Sequence, residues 1–294
     1  MLRIAGIKAD PVLINRRQFG NKIRYQPGIS EYSSIIVLAE INNSNILLDA
    51  ATNYCPFSML PPDDINGFGR LIVDGDGASV PLAPNDKYKV AKSYVMNIDD
   101  KGIIKGTIIS NFSGYAAFEV RKEIGASSVS HHFKRIELKN PGLTIEKSSI
   151  DGLNSYGSIS DTLVTTIVEQ TVTKGNTIRF NPLLYEQIKT ARYSQPERKY
   201  QIDFNYPISY TYLFEYHIPV GYEIDSLPSS VNLKLPDNSV TLSYIIVKEN
   251  DIIRLVYRQN INRHQFSTEE YLDLKAIFEQ IALKNMGEVI LKKK

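Results

Sequence analysis

The first part of the chain takes its fold from the stretch YSSIIVLAEINNSNILLD, residues 32–49. Two apolar segments, 35–38 and 46–48, flank the polar run 42–45, and asparagine readily adopts the backbone angles of a tight turn. This pattern predicts a β-hairpin. Asp49 directly follows the second strand, so the hairpin ends on a carboxylate whose chemistry depends on its neighbours.

Upstream of the hairpin, the sequence predicts the end of a helix followed by a strand. Residues 1–7, MLRIAGI, are typical of a last helical turn with Gly6 as the C-cap. The apolar run 9–14 then has the character of a short strand. We therefore expect the chain to begin inside an α/β layer.

Composition bounds the classes of protein that this chain can represent. With 294 residues, 43% hydrophobic and 22% charged, it can bury one large core or two smaller ones, and two domains are expected. A formal net charge of +2 gives no broad attraction for nucleic acid. No stretch approaches the roughly 20 apolar residues of a membrane span, and no export signal is present in the first residues.

The second part of the chain has the pattern of a β-rich domain. Turn-forming residues at 99–102, 174–176, 236–238 and 249–251 each separate two strand-like segments, which predicts at least four hairpins. The alternating stretch 210–216 indicates sheets with one packed and one wetter face.

Helices are predicted at two places in this β-rich part. Segments 115–123 and 129–138 have a helical pattern, with a break near Gly125. A terminal helix follows the capping box 267–270, STEE, and a final strand begins near Glu288. The helix carries an apolar stripe that we expect to face the core: Tyr271, Leu274, Phe278 and Ile281.

Several motifs together resemble one known family. They are the hairpin 32–49, FSMLP at 57–61, the glycine-containing run 66–73, RKYQIDF at 198–204, and IPVGYEI at 218–224 followed by Leu227 and Pro228. These are similar to the transglutaminase-like cysteine hydrolases and the β-rich domain of unknown function that follows their core. Gln201 departs from that pattern, where the family has Pro.

The resemblance implies a fold and two domains. The fold class is α+β and predominantly β. Residues 1–85 would be a truncated transglutaminase-like α/β remnant. Residues 86–294 would form an antiparallel, sandwich-like β-rich domain with a helical insert and a C-terminal helix.

The resemblance also implies that the family's catalytic triad is incomplete. Asp49 stands where the family keeps its acid, Ser34 stands where it keeps His, and the nucleophilic Cys is expected upstream of Met1. One extra residue between Asp49 and Thr52 is a further departure. Since a carboxylate activates a thiol only through an imidazole, we expect no catalysis, and Asp49 is interpreted as a strand-end acceptor of backbone N–H groups.

Other candidate residues favour structural interpretations. Cys55 is the only cysteine, has no adjacent cation, and is expected to pack at a loop edge. His131 and His132 point about 100° apart on a helix and are expected to be solvated. His217 and His264 lack partners at metal-ligand spacing. The DGDG run at 74–77 lacks the closing acid of a calcium loop and predicts a turn, so no cofactor or metal is expected.

Two function classes follow. The first is a non-catalytic fragment or degenerate relative of a transglutaminase-like protein, acting as a structural or interaction module for protein, peptide or carbohydrate. The alternative is a cysteine-dependent amide hydrolase or transglutaminase-like enzyme that receives Cys and His from an upstream segment or a partner chain. By resemblance, the location would be a bacterial periplasm or envelope if an upstream signal exists.

Overall fold

The computed structural model describes residues 1–20, 32–188, 190 and 192–294. The chain divides into two compact units, Met1–Lys87 and Tyr88–Lys294, called unit 1 and unit 2 below. The origin of unit 1 as the remnant of a larger core stays a prediction.

Unit 1 is built on one antiparallel sheet of five strands. In chain order these are β1 (Ala9–Ile14), β2 (Ser34–Ile41), β3 (Ser44–Leu48), β4 (Phe68–Leu71) and β5 (Ser79–Pro81), and their order in the sheet is β3-β2-β1-β4-β5. The predicted hairpin is confirmed as β2 and β3. Asn42 and Asn43 have φ of 50° and 59°, as a two-residue loop of this kind requires.

Unit 2 contains the remaining strands and all three α-helices of the described residues. The strands are β6 (Tyr88–Ile98), β7 (Ile104–Gly114), β8 (Leu143–Asp151), β9 (Ile159–Ile167), β10 (Thr171–Lys174), β11 (Thr177–Phe180), β12 (Ile202–Asp203), β13 (Ile208–His217), β14 (Tyr222–Ser226), β15 (Val231–Lys234), β16 (Val240–Glu249), β17 (Ile252–Ile261), β18 (Gln265–Phe266) and β19 (Val289–Lys293). The helices are α1 (Tyr115–Ala126), α2 (Val129–Lys139) and α3 (Tyr271–Asn285). The predominantly β fold expected from the sequence is confirmed.

Eight strands of unit 2 form its main sheet, in the order β15-β16-β17-β13-β6-β7-β9-β8. The four predicted hairpin turns all lie between paired strands. The sheet is antiparallel except at one pair, since β6 and β13 run parallel. A parallel pair needs a long crossover, and here the connection includes α1, α2 and six strands.

Two smaller sheets complete unit 2, with orders β10-β11-β19-β14 and β12-β18. Side chains of the four-stranded sheet and of the main sheet share one hydrophobic core. Phe180 meets Tyr216 edge to face with ring centroids 5.1 Å apart, and the Tyr216 hydroxyl donates to the Pro182 carbonyl at 2.7 Å. The two sheets therefore pack as the sandwich-like arrangement that the sequence predicted.

The predicted helices are confirmed, with one correction at a cap. Ser128 separates α1 from α2, and its hydroxyl accepts from the His131 N–H at 3.1 Å. The apolar stripe of α3 is buried as predicted. The capping box is only half formed, because Glu270 accepts from the Ser267 N–H at 2.8 Å while no side chain caps the first turn of α3.

Among the residues described, no helix has both the length and the apolar character needed to cross a membrane.

Gly102 in the β6–β7 turn provides a test of how this hairpin contacts β10. Gly102 has φ of 84°, and its carbonyl accepts from the Thr171 hydroxyl at 2.8 Å, so an added Cβ would collide with that hydroxyl. We expect Gly102→Ala to lower the free energy of unfolding by about 2–3 kcal/mol, combining backbone strain with the collision. Urea denaturation would measure this as a lower midpoint at unchanged slope.

The matched control is Gly175→Ala. Gly175 has φ of 57° in the β10–β11 turn, but a Cβ there would meet open space, so only the backbone strain of about 1 kcal/mol is expected. Equal losses for the two variants would show that the Thr171 contact contributes nothing.

Candidate functional site

Asp49 lies at the end of β3 with its carboxylate turned inward, since the side chain is only 1% exposed. Its Oδ1 accepts from the Ala51 N–H at 2.7 Å, and its Oδ2 accepts from the Thr52 hydroxyl at 2.5 Å. This is the local pattern of an aspartate that closes a turn after a strand. The Thr52 hydroxyl thus lies within hydrogen-bond reach of Asp49 even with the extra residue between them.

Arg16 places a cation between two buried carboxylates. Its Nη2 lies 3.7 Å from Asp49 Oδ2, and its Nε donates to Asp64 Oδ1 at 3.0 Å. Asp64 is fully buried in a short 3-10 turn, Pro62–Asp64. Arg16 itself follows β1, and its N–H donates to the Ser33 hydroxyl at the start of β2. We call Arg16, Asp49 and Asp64 the Arg16 cluster.

The electrostatics of the Arg16 cluster favour a proton on Asp64. Burial is the largest effect and the neighbouring Asp49 carboxylate adds to it, so that the pKa of Asp64 is raised to about 6 although Arg16 opposes the change. The second oxygen of Asp64, Oδ2, is buried without a hydrogen-bond partner among the described residues. The Arg16 guanidinium therefore contacts both carboxylates, but within the described part of the chain Asp64 Oδ2 has no hydrogen bond.

Cys55 lies near the Arg16 cluster but is not activated by it. Its thiol donates to the Met59 carbonyl at 3.1 Å. Burial, and then the negative charges of Asp49 and Asp64, raise the pKa of Cys55 to about 12. Since the thiolate is the nucleophile, these surroundings oppose nucleophilic chemistry at Cys55.

The arrangement also determines what chemistry is open to Asp49 and Ser34. Ser34 opens β2 opposite Ile14, and no imidazole stands in the sequence of unit 1, because the four histidines of the chain are all at later positions, 131, 132, 217 and 264. A guanidinium holds its proton and cannot replace imidazole as a general base. The Arg16 cluster can bind and orient groups, but its own side chains supply no base–nucleophile pair.

Sequence analysis missed two members of this cluster, Arg16 and Asp64. The signal was weak, since Arg16 is one of two consecutive arginines and Asp64 is one of two consecutive aspartates. Their neighbours Arg17 and Asp63 are partly or fully exposed, whereas Asp64 is buried. The packing of the 3-10 turn decides which residue of each pair enters the cluster. The sequence pattern does not show this choice.

The histidines of unit 2 differ from expectation at one position. His131 is exposed as predicted, but the expectation of solvation is wrong for His132, which is only 4% exposed because α2 turns it onto the main sheet. His217 Nε2 lies 3.0 Å from Glu215 Oε1, and the His264 carbonyl accepts from the Phe204 N–H.

The acidic run 74–77 and the four histidines are the candidate metal ligands of the sequence. Residues 74–76 form bends between β4 and β5. Across the described parts of both units, no group of three or more His, Cys, Asp or Glu side chains is arranged to hold a metal ion.

Comparison with known proteins gives a match for part of unit 2. Residues 175–291, fewer than half of the chain, match a family described as a domain of unknown function with solved structure, DUF3858. No curated protein matches the chain. One similar solved structure is a "putative protease" from Parabacteroides distasonis ATCC 8503, with 10% identity and a TM-score of 0.48. That match covers 99% of this chain and 41% of the other.

The pKa of Asp64 predicts a pH dependence of stability. Because folding raises this pKa from 3.8 to about 6, the folded state binds the proton more tightly, and stability decreases as pH rises through this interval. Asp64→Asn removes the titration. We expect its free energy of unfolding relative to wild type to increase by roughly 2–3 kcal/mol between about pH 4 and about pH 7.

Hydrogen exchange of unit 1 peptides, compared between variant and wild type at each pH, would measure the effect. Any loss from the substitution that does not depend on pH cancels in the pH difference. Asp63→Asn is the control, since Asp63 is exposed in the same turn and should show no such increase. A difference between Asp64→Asn and wild type that does not change with pH would contradict the raised pKa.

Proposed function

We propose that the chain is a non-catalytic relative of transglutaminase-like proteins and acts as a structural or interaction module. The observation that carries the proposal is the engagement of Asp49, whose two oxygens accept from Ala51 and Thr52 while Arg16 lies 3.7 Å away. In a cysteine hydrolase the corresponding acid must orient an imidazole. Here the acid binds its own turn and an arginine.

The contacts around Asp49 support a structural role. Arg16 joins the end of β1, the start of β2 through Ser33, and the turn that carries Asp64. A buried carboxylate is stable only when it is paired and hydrogen-bonded. The Arg16 cluster thus holds three segments of unit 1 together.

The enzyme alternative requires a change in these contacts. An imidazole supplied from elsewhere would have to replace Arg16 or Thr52 at Asp49, whose side chain is 1% exposed. Such a replacement would leave the partly buried Arg16 guanidinium or the turn without one of its partners, which is costly. This cost is the reason to prefer the non-catalytic proposal.

For the interaction role, protein, peptide or carbohydrate partners remain the proposed classes, and an envelope location remains a prediction from the resemblance. Aromatic side chains are abundant, but many support the core: at least nine of the 18 tyrosines are buried. Tyr156 and Tyr200 are among the exposed ones, at 64% and 82%.

Alkylation of Cys55 tests whether the Asp49 carboxylate activates or suppresses the nearby thiol. In the native chain we expect iodoacetamide to label Cys55 roughly a thousandfold more slowly than an unhindered thiol, because so little thiolate exists at neutral pH. Asp49→Asn removes a negative charge that raises the pKa of Cys55, so labelling should become faster. Mass spectrometry of the labelled peptide would give the rates.

An enzyme that used Cys55 itself as the nucleophile would give the opposite result, with fast labelling in the native chain and slow labelling in Asp49→Asn. The alternative in which Cys and His come from elsewhere is tested by activity instead. Release of ammonia from a glutamine peptide, abolished by the same substitution, would also contradict the proposal. Asp63→Asn serves as the charge control, and urea-unfolded protein gives the reference rate for an accessible Cys55.

A further inference from the structure

A row of polar side chains crosses an apolar face of the main sheet in unit 2. Lys92 on β6 is the register partner of Ser110 on β7, which is the partner of Asp161 on β9. Directly opposite residues point to the same face of a sheet. The adjacent rows on this face are apolar or aromatic: Val90, Phe112 and Ile159 on one side, and Tyr94, Ile108 and Leu163 on the other.

The polar row is the floor of a cavity that α1 and α2 cover. The cavity has a volume of about 650 Å³, within the usual range for small-molecule sites of roughly 300–1,000 Å³. Glu123 of α1 and His132 and Arg135 of α2 line it from above. Its walls include aromatic rings, those of Tyr88, Phe112 and Tyr185.

Most charged groups that line the cavity have partners. Lys92 Nζ lies 2.5 Å from Glu186 Oε1, which also accepts from the Tyr94 hydroxyl at 2.6 Å. Arg135 pairs with Glu123. Asp161 differs, because it is 1% exposed and neither of its carboxylate oxygens has a hydrogen-bond partner in the described part of the chain. A buried carboxylate in this state is strongly disfavoured unless something else compensates it.

His132 identifies what Asp161 lacks. The ring Nδ1 lies 3.2 Å from Glu123 Oε1, and because a carboxylate oxygen only accepts, Nδ1 carries the proton. In the neutral ring, Nε2 is then an acceptor. Among the described residues it is buried without a hydrogen-bond partner, and it lies 4.0 Å from Asp161 Oδ2. With the ring neutral and the carboxyl ionised, two acceptors converge on one point, and a donor placed there would serve both.

We propose that this cavity binds a small organic ligand through a primary ammonium group held by Asp161 and His132. An ammonium carries three N–H donors, so it can serve both acceptors and also neutralise the Asp161 charge. A water molecule could donate to both but would leave that charge uncompensated. The ligand's apolar body would lie along the aromatic walls.

The surroundings narrow the ligand further. A second cavity of about 530 Å³ shares five lining residues with the first, so a body longer than one ring has room: Tyr88, Lys92, Phe112, Tyr185 and Glu186. Lys122 and Lys139 also line the first cavity and are exposed. Because one ammonium group serves both acceptors, a monoamine with an alkyl or arylalkyl body is the expected class. This inference does not depend on the function proposed for unit 1.

Paired probes test the proposal in the full chain. Calorimetric titration would compare hexylamine with hexan-1-ol, and 2-phenylethylamine with 2-phenylethanol, at millimolar concentrations. We expect each amine to bind at least about tenfold more tightly than its alcohol, because only the amine supplies a charge-assisted hydrogen bond to Asp161. Equal binding of amine and alcohol, or no binding of either amine, would overturn the proposal.

Two substitutions locate the effect. Asp161→Asn should reduce amine affinity at least about tenfold while raising the melting temperature of the ligand-free chain by roughly 2–8 °C, since a neutral amide can donate to His132 Nε2. Asp151→Asn, at an exposed position on the neighbouring strand β8, should change neither. Unchanged amine affinity in Asp161→Asn would refute the site. If that variant fails to fold, the amine-to-alcohol ratio in the wild-type chain decides the question.

Discussion

The parallel pairing of β6 with β13 is the contact on which unit 2 depends. Its ten register pairs run from Ile208 opposite Tyr88 to His217 opposite Asn97. One side of this pair carries β7, β9 and β8, and the other carries β17, β16 and β15. Two antiparallel halves, one from residues 88–167 and one from residues 208–261, thereby become one sheet with a continuous face. The shared core requires that continuity.

Two sites with buried carboxylates differ in how the negative charge is compensated. In unit 1 the Arg16 cluster places a guanidinium against both Asp49 and Asp64, so the carboxylates are held within the protein. In unit 2, Asp161 has no such partner in the described residues. Since an unpaired buried carboxylate costs free energy, the first arrangement is suited to holding strands together and the second to binding a ligand.

The candidate site could be predicted only in part. The position of Asp49 at the end of a hairpin followed from the alternation of apolar and turn residues, but its partner Arg16 did not. Arg16 lies more than thirty residues earlier in the chain. In unit 2, every second residue of β9 faces inward, and these positions include Ile159, Asp161, Leu163 and Ile167. A charged residue among apolar ones was therefore a visible signal of a buried carboxylate. His132 gave no such signal, since only the packing of α2 buries it.

The sequence by itself determined the local elements: the hairpin that ends at Asp49, the hairpins of the β-rich part, the break between α1 and α2, and the buried stripe of α3. These follow from patterns with a period of two or 3.6 residues and from turn-forming residues, which act over short distances along the chain. Tertiary structure alone decided the parallel β6–β13 pair, the Arg16 cluster and the meeting of Asp161 with His132. Each joins residues that are distant in sequence, and a local pattern contains no information about which distant segment will pack against it.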